Sequence, residues 1–125
     1  MGQMKHPVYC IDTNIFILLF NNRLKEQIPE GELVCSIITE IELLSFPALP
    51  PNEESLIRER LALFKIHKID NAIKEKTIQL RRTSPLKIPD AIIAATAMIH
   101  DCVLVSNDKM FQNVPGLNCR ELAYA

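Results

Sequence analysis

Four acidic residues, Asp12, Glu42, Asp90 and Asp108, stand where one short run of sequence gives way to another, and each has a modest reason to be there. Asp12 follows "VYCI" and precedes the apolar "IFILLF", where it or Thr13 could cap a helix starting near Asn14. Glu42 lies three residues after Thr39, the spacing of a capping box. Asp90 follows Pro89 in a first helical turn, where a carboxylate gains ~0.3–1 kcal/mol from the helix macrodipole. Asp108, after "LVSN", could cap a short helix holding Met110 and Phe111.

Gathered in one place, the same four residues would do different chemistry. Two carboxylates about 4 Å apart repel by roughly 4 kcal/mol at an effective dielectric near 20, more than caps return. A positive partner is then required. No Lys or Arg adjoins Asp12 or Glu42, and the nearest basic neighbours of the others are Lys87 and Lys109. One or two hard divalent cations, Mg²⁺ or Mn²⁺, suit an all-oxygen donor set. Zinc does not, because His6, His67 and His100 are scattered singly and Cys10, Cys35, Cys102 and Cys119 form no CxxC pair. A cation of this kind lowers the pKa of a bound water and stabilises charge on a phosphate under in-line attack, so no histidine base is needed. Asp101 and Glu40 are left out. Asp101 follows Asp90 by eleven residues, ~16 Å along the same helix, and Glu40 is two residues from Glu42 and faces elsewhere.

The elements that must position these acids alternate along the chain. Val8 to Ile11 is a β-branched run, Asn14 to Phe20 a helix, and Leu33 to Ser36 a strand. Thr39 to Ser45 is helical under its capping box. Asn52 caps a helix in which Ile57, Leu61 and Phe64 repeat on one face. Lys65 to Ile69 is a strand, and Asp70 caps a helix to Arg82 that ends on the basic pair Arg81-Arg82. A proline-bounded link leads to a helix from Pro89 to His100, apolar nearly all round and therefore buried. "CVLVS" is a strand of the continuous apolar kind, and Cys119 to Leu122 is the last. The alternation predicts an α/β fold with a parallel sheet covered on both faces. In such sheets every strand-to-helix junction opens on one edge, which is where ligands bind.

Composition narrows the class. A chain of 125 residues with 48% hydrophobic and 23% charged residues is expected to be a single globular domain over 1–125, with 1–6 a start outside the folded part. A net charge of -1 provides no broad positive field, so contact with nucleic acid must be local. Arg81, Arg82, Lys87 and Lys109 are the candidates for phosphate contact, although dipole-complementing charge explains the first two as well. Aromatic residues at 6% with no Trp provide little base-stacking surface. No run approaches the ~20 apolar residues of a membrane span, and no secretory leader is visible. The expected setting is the reducing cytoplasm, with the cysteines as buried free thiols.

"YCIDTNIFI", "SIITEIELLS", "KIPDAIIAATA" and "LVSNDKMF" resemble, in order, the motifs of the PIN domain, in particular the VapC-like ribonuclease toxins of toxin-antitoxin pairs. The similarity runs from about Pro7 to Phe111, and "PDAIIAATA" is its most specific segment. The resemblance implies a three-layer α/β sandwich with a central parallel sheet of about five strands and Mg²⁺- or Mn²⁺-dependent endoribonuclease activity. It implies catalytic and metal-binding roles for Asp12, Glu42, Asp90 and Asp108, with Asn14 and Ser106 as polar supports. It also implies a homodimer and an inhibitory antitoxin protein, with no membrane. One departure is that Phe46-Pro47 stands where the family often has Gly. Two other classes share parts of the pattern, a receiver-like phosphoacceptor domain and a non-catalytic adaptor of the same fold.

Overall fold

Strand β1 (Val8–Ile11) sets the layering, because Cys10 and Ile11 are both fully buried on opposite faces of the sheet. The same alternation recurs in β2 (Glu32–Ser36) with Val34 and Cys35, and in β4 (Val103–Val105) with Leu104 and Val105. Cys10, Val34 and Leu104 join one apolar cluster, Ile11, Cys35 and Val105 the other. This is the pattern of strands covered on both faces. The computed structural model describes residues 7–125, so the expectation for residues 1–6 lies outside the described residues.

Five parallel strands run in the order β3-β2-β1-β4-β5, where β3 is Lys65–His67 and β5 is Cys119–Arg120. Cys10 lies opposite Val34 on one side and Leu104 on the other. The order reverses at β1. The crevice beyond the carboxyl ends of β1 and β4 is therefore the topological switch point.

Helices α1 (Thr13–Phe20) and α3 (Pro51–Leu61) place Ile15, Phe16, Ile57 and Leu61 in the cluster on one face, where Leu43 of α2 (Ile37–Leu44) joins them. On the other face lie α4 (Asn71–Thr83) and α5 (Ile88–Ile99). As its composition predicts, α5 is buried almost all round, and Ala91, Ala94, Ala95 and Ala97 are fully enclosed. The cysteines are free, with Cys10, Cys35 and Cys102 buried and Cys119 half-buried, and burial pushes their thiol pKa values up.

Three expectations about helix boundaries are corrected. Thr39 does not open α2: the Ser36 hydroxyl at the end of β2 accepts from the Ile38 amide at 3.1 Å, so the chain turns earlier and Thr39 is buried inside the helix. Asn52 does not cap α3, which starts at Pro51, a residue whose fixed φ suits the first helical position. Phe64 lies beyond α3, although its ring packs edge-on against Phe16 at 4.9 Å. Asp70 does cap α4, accepting from the Ile73 amide at 2.9 Å. The outer strands are shorter than expected, β3 ending at His67 and β5 at Arg120. No helix among the described residues is long and apolar enough to cross a membrane.

Candidate active site

Asp12 ends β1 and is the N-cap residue of α1, yet its side chain does more than cap. One carboxylate oxygen accepts from the Thr13 amide at 2.8 Å, and the other accepts from the Ser106 hydroxyl, across 94 residues of sequence, at 2.7 Å. Only 5% of the residue is exposed. Burial pushes its pKa up to about 6; the bonds from Ser106 and Thr13 pull it down, and the charges of Asp90 and Glu42 raise it further.

The other three acids arrive from three separate elements. Asp90 sits in the first turn of α5, and its pKa is raised by burial, then by the charges of Asp108 and Glu42, with Lys87 opposing. Asp108 caps the 3-10 helix Lys109–Asn113, accepting from the Met110 amide at 3.3 Å, while its own amide donates to the Ser106 oxygen at 3.1 Å. Ser106 therefore holds Asp12 with its proton and Asp108 with its oxygen. Glu42 is exposed on α2 and accepts from the Thr13 hydroxyl at 2.6 Å. Asn14 makes one long contact, accepting from the Asn107 amide at 3.5 Å. The charge of Glu40, left out above, acts on Cys35 and not on Asp12 or Asp90.

At the carboxyl edge of the sheet the charges of Asp90 and Glu42 thus reach Asp12, and those of Asp108 and Glu42 reach Asp90. Among the described residues the ion pairs are Arg58–Glu54, Lys74–Glu75, Lys109–Glu121 and Arg120–Glu26, and none involves these four. A buried carboxylate, three acidic neighbours and no paired cation form a donor set suited to a hard divalent ion. Among the described residues no three Asp, Glu, His or Cys side chains are drawn tightly enough together to ligate one ion directly.

A family model matches this chain: that of the PIN domain, over residues 9–117. The chain belongs to the PIN domain family. Among solved structures, this PIN domain is similar to a chain of a toxin-antitoxin complex from Klebsiella pneumoniae at 35% identity and a TM-score of 0.75, covering 87% of this chain and 94% of that one. It is similar to VapBC-1 of nontypeable Haemophilus influenzae at 26% identity and a TM-score of 0.76, covering 91% and 97%. VapBC2 of Rickettsia felis, solved bound to a promoter DNA fragment, shares the fold at 19% identity and a TM-score of 0.77, covering 93% and 99%. No match to a curated protein reaches significance.

The basic candidates of the PIN domain are dispersed. Lys87 is the N-cap residue of α5, and its charge reaches Asp90. The Arg81 guanidinium donates to the Leu86 carbonyl at 3.2 Å and so braces the link before α5. Arg82 lines a shallow concavity with Gln79 and Ile99, the last at the far end of α5 from Asp90. Lys109 pairs with Glu121 at 3.2 Å. Two residues at the acidic edge are absent from the sequence-based set. Thr13 was visible as an alternative cap, but its bond to Glu42 joins residues 29 apart and leaves no local signature. Asn107, between Ser106 and Asp108, bonds both backbone groups of Leu122.

Proposed function

We propose that this PIN domain is a Mg²⁺- or Mn²⁺-dependent endoribonuclease and the VapC-like toxin of a toxin-antitoxin pair. The observation that carries the reading is the set of carboxylates at the switch point, one of them buried, with no ion pair among the described residues to neutralise any of them. Asp12, Asp90, Asp108 and Glu42 would hold one or two ions. Such an ion, when bound, activates water and stabilises charge on the attacked phosphodiester. The chain's own part is orientation: Ser106 and the Thr13 amide fix both Asp12 oxygens, and the Thr13 hydroxyl steadies Glu42 at the exposed rim. Asn14 supports the loop through the Asn107 amide. Lys87 is the basic residue best placed to meet RNA phosphate; Arg81 and Lys109 serve their local partners first, and Arg82 lies in the concavity beside Ile99, at the other end of α5.

The solved structures named above include toxin-antitoxin complexes, which supports a cognate antitoxin as partner. A groove of about 340 Å³ between α1, α2 and α3, lined by Ile17, Phe20, Leu43, Phe46, Leu49 and Ile57, provides apolar surface for it. Phe46 is 49% exposed there, in the loop where Phe46-Pro47 departs from the family pattern. A homodimer in the cytoplasm completes the reading. Family membership leaves the receiver-like alternative without support. The absence of a tight three-ligand cluster among the described residues is what favours the adaptor alternative.

Cleavage of RNA by purified protein with Mn²⁺ separates nuclease from adaptor. Asp12→Asn and Asp90→Asn are each expected to lower the rate by more than about a hundredfold, beyond the 10–100-fold that loss of an outer-shell partner costs. Cleavage at the wild-type rate by the double variant overturns the assignment.

A further inference from the structure

The loop that carries Ser106 and Asp108 meets the start of α1 through Asp12 and Asn14, and its backbone and the Asn107 side chain are also fastened to the C-terminal segment. The Ser106 amide donates to the Arg120 carbonyl at 3.0 Å. The Asn107 side chain then grips Leu122 from both sides, its Nδ2 donating to the Leu122 carbonyl at 2.9 Å and its Oδ1 accepting from the Leu122 amide at 2.8 Å. Leu122 is itself immobilised, being 2% exposed in the cluster with Ile11, Ile15 and Val105. Beyond it, the Lys25 amide donates to the Ala123 carbonyl at 2.8 Å and the Ala125 amide to the Arg23 carbonyl at 2.8 Å, so residues 122–125 are sewn to the turn after α1.

We infer that Asn107 is a positioning residue: its paired bonds to Leu122 transmit the rigidity of the C-terminal segment to Ser106, and through Ser106 to Asp12 and Asp108. The geometry leaves a short path. Ser106 donates to one Asp12 oxygen at 2.7 Å and accepts from the Asp108 amide at 3.1 Å, so a shift of its backbone moves both acids. A bidentate amide contact resists rotation of the loop, whereas a single bond would act as a pivot. Carboxylates meant for one hydrated ion need such outer support to keep their spacing.

This inference rests on the metal-binding reading above, and its test separates the two. In metal-free protein, Asn107→Ala is expected to speed hydrogen exchange at the Asp108 amide at least tenfold while leaving α4 amides unchanged. With Mn²⁺, the same variant should weaken binding by about tenfold, the low end for outer-shell partners, and lower kcat with little change in KM. In a Ser106→Ala background the Asn107→Ala effect should largely vanish, since both act through one network. Asn107→Ser is the milder variant should Asn107→Ala not fold. Unchanged Asp108 exchange and unchanged Mn²⁺ affinity overturn the inference, whether or not the melting temperature falls. If wild-type protein binds no Mn²⁺, the metal reading fails and exchange at Asp108 alone decides the role of Asn107.

Discussion

Asp12 is a carboxylate that the fold makes costly to ionise, and this has a measurable consequence in metal-free protein. Its folded pKa of about 6 lies above the ordinary value of 3.8, with burial as the leading cause. The native state therefore holds this proton more tightly than the unfolded chain. The stabilisation is fully present below about pH 4 and is lost as pH rises through about 6, amounting to roughly 3 kcal/mol. Asp12→Asn removes the ionisation, keeps an acceptor for the Thr13 amide and weakens the Ser106 bond, at a cost of about 1 kcal/mol. Urea unfolding in chelator should show the variant about 2 kcal/mol more stable than wild type at pH 8, with no advantage at pH 4. A variant less stable at pH 8 would mean that Asp12 is tied down structurally and is not a strained charge. At this scale the sequence was informative where an acid ends a strand or opens a helix, as with Asp12, Asp90 and Asp108. It misled at Glu42, whose spacing from Thr39 imitates a capping box while its partner is Thr13. Asn107 was illegible because its partner lies 15 residues away, and nothing in the residue types marks a side chain to backbone pairing over that distance.

Among the elements, α5 decides how near Asp90 comes to Asp12. Ala94 and Ala97, four and seven residues after Asp90, are fully buried, and α5 contacts β1, β2 and β4. Ala94→Leu overfills that contact at a cost of about 1–3 kcal/mol, and relief comes by lifting the helix from the sheet. Asp70→Ala, which removes the α4 cap, costs about 1 kcal/mol without touching the acidic edge. Thermal melts paired with Mn²⁺ titrations should show both variants destabilised and only Ala94→Leu weakened in ion binding, about tenfold or more. Equal ion affinity in the two would detach Asp90 from the packing of α5. The apolar character of "PDAIIAATA" made the burial of α5 readable, as the alternation of apolar runs made the parallel sheet readable. Helix starts were less so: Ser36 and Pro51 captured α2 and α3 before the expected caps at Thr39 and Asn52, because several residues near each boundary could do the same job.

Across the whole molecule, a second titration opposes that of Asp12. His67 at the end of β3 stacks on His100 at the end of α5, with ring centroids 3.7 Å apart and planes 14° from parallel. Burial, then His100, then Lys65 lower the His67 pKa, while Asp70 and Glu32 oppose them. The stack therefore favours neutral His67; its stabilisation is present above about pH 6.5 and is lost as pH falls through the lowered folded value. In wild-type metal-free protein, the rise expected from His67 opposes the fall expected from Asp12 and from the raised Asp90 carboxyl as pH climbs toward about 6.5. Each single variant should remove its own contribution. Measured as the difference from wild type, Asp12→Asn should gain stability as pH rises from about 4.5 to about 6.5, and His67→Phe, which keeps an aromatic face for His100, should lose it. Two-state urea unfolding of wild type and both variants at the two pH values gives the signs directly. Differences of the same sign in the two variants would show that the acidic edge and the β3 edge do not titrate as independent parts of one fold.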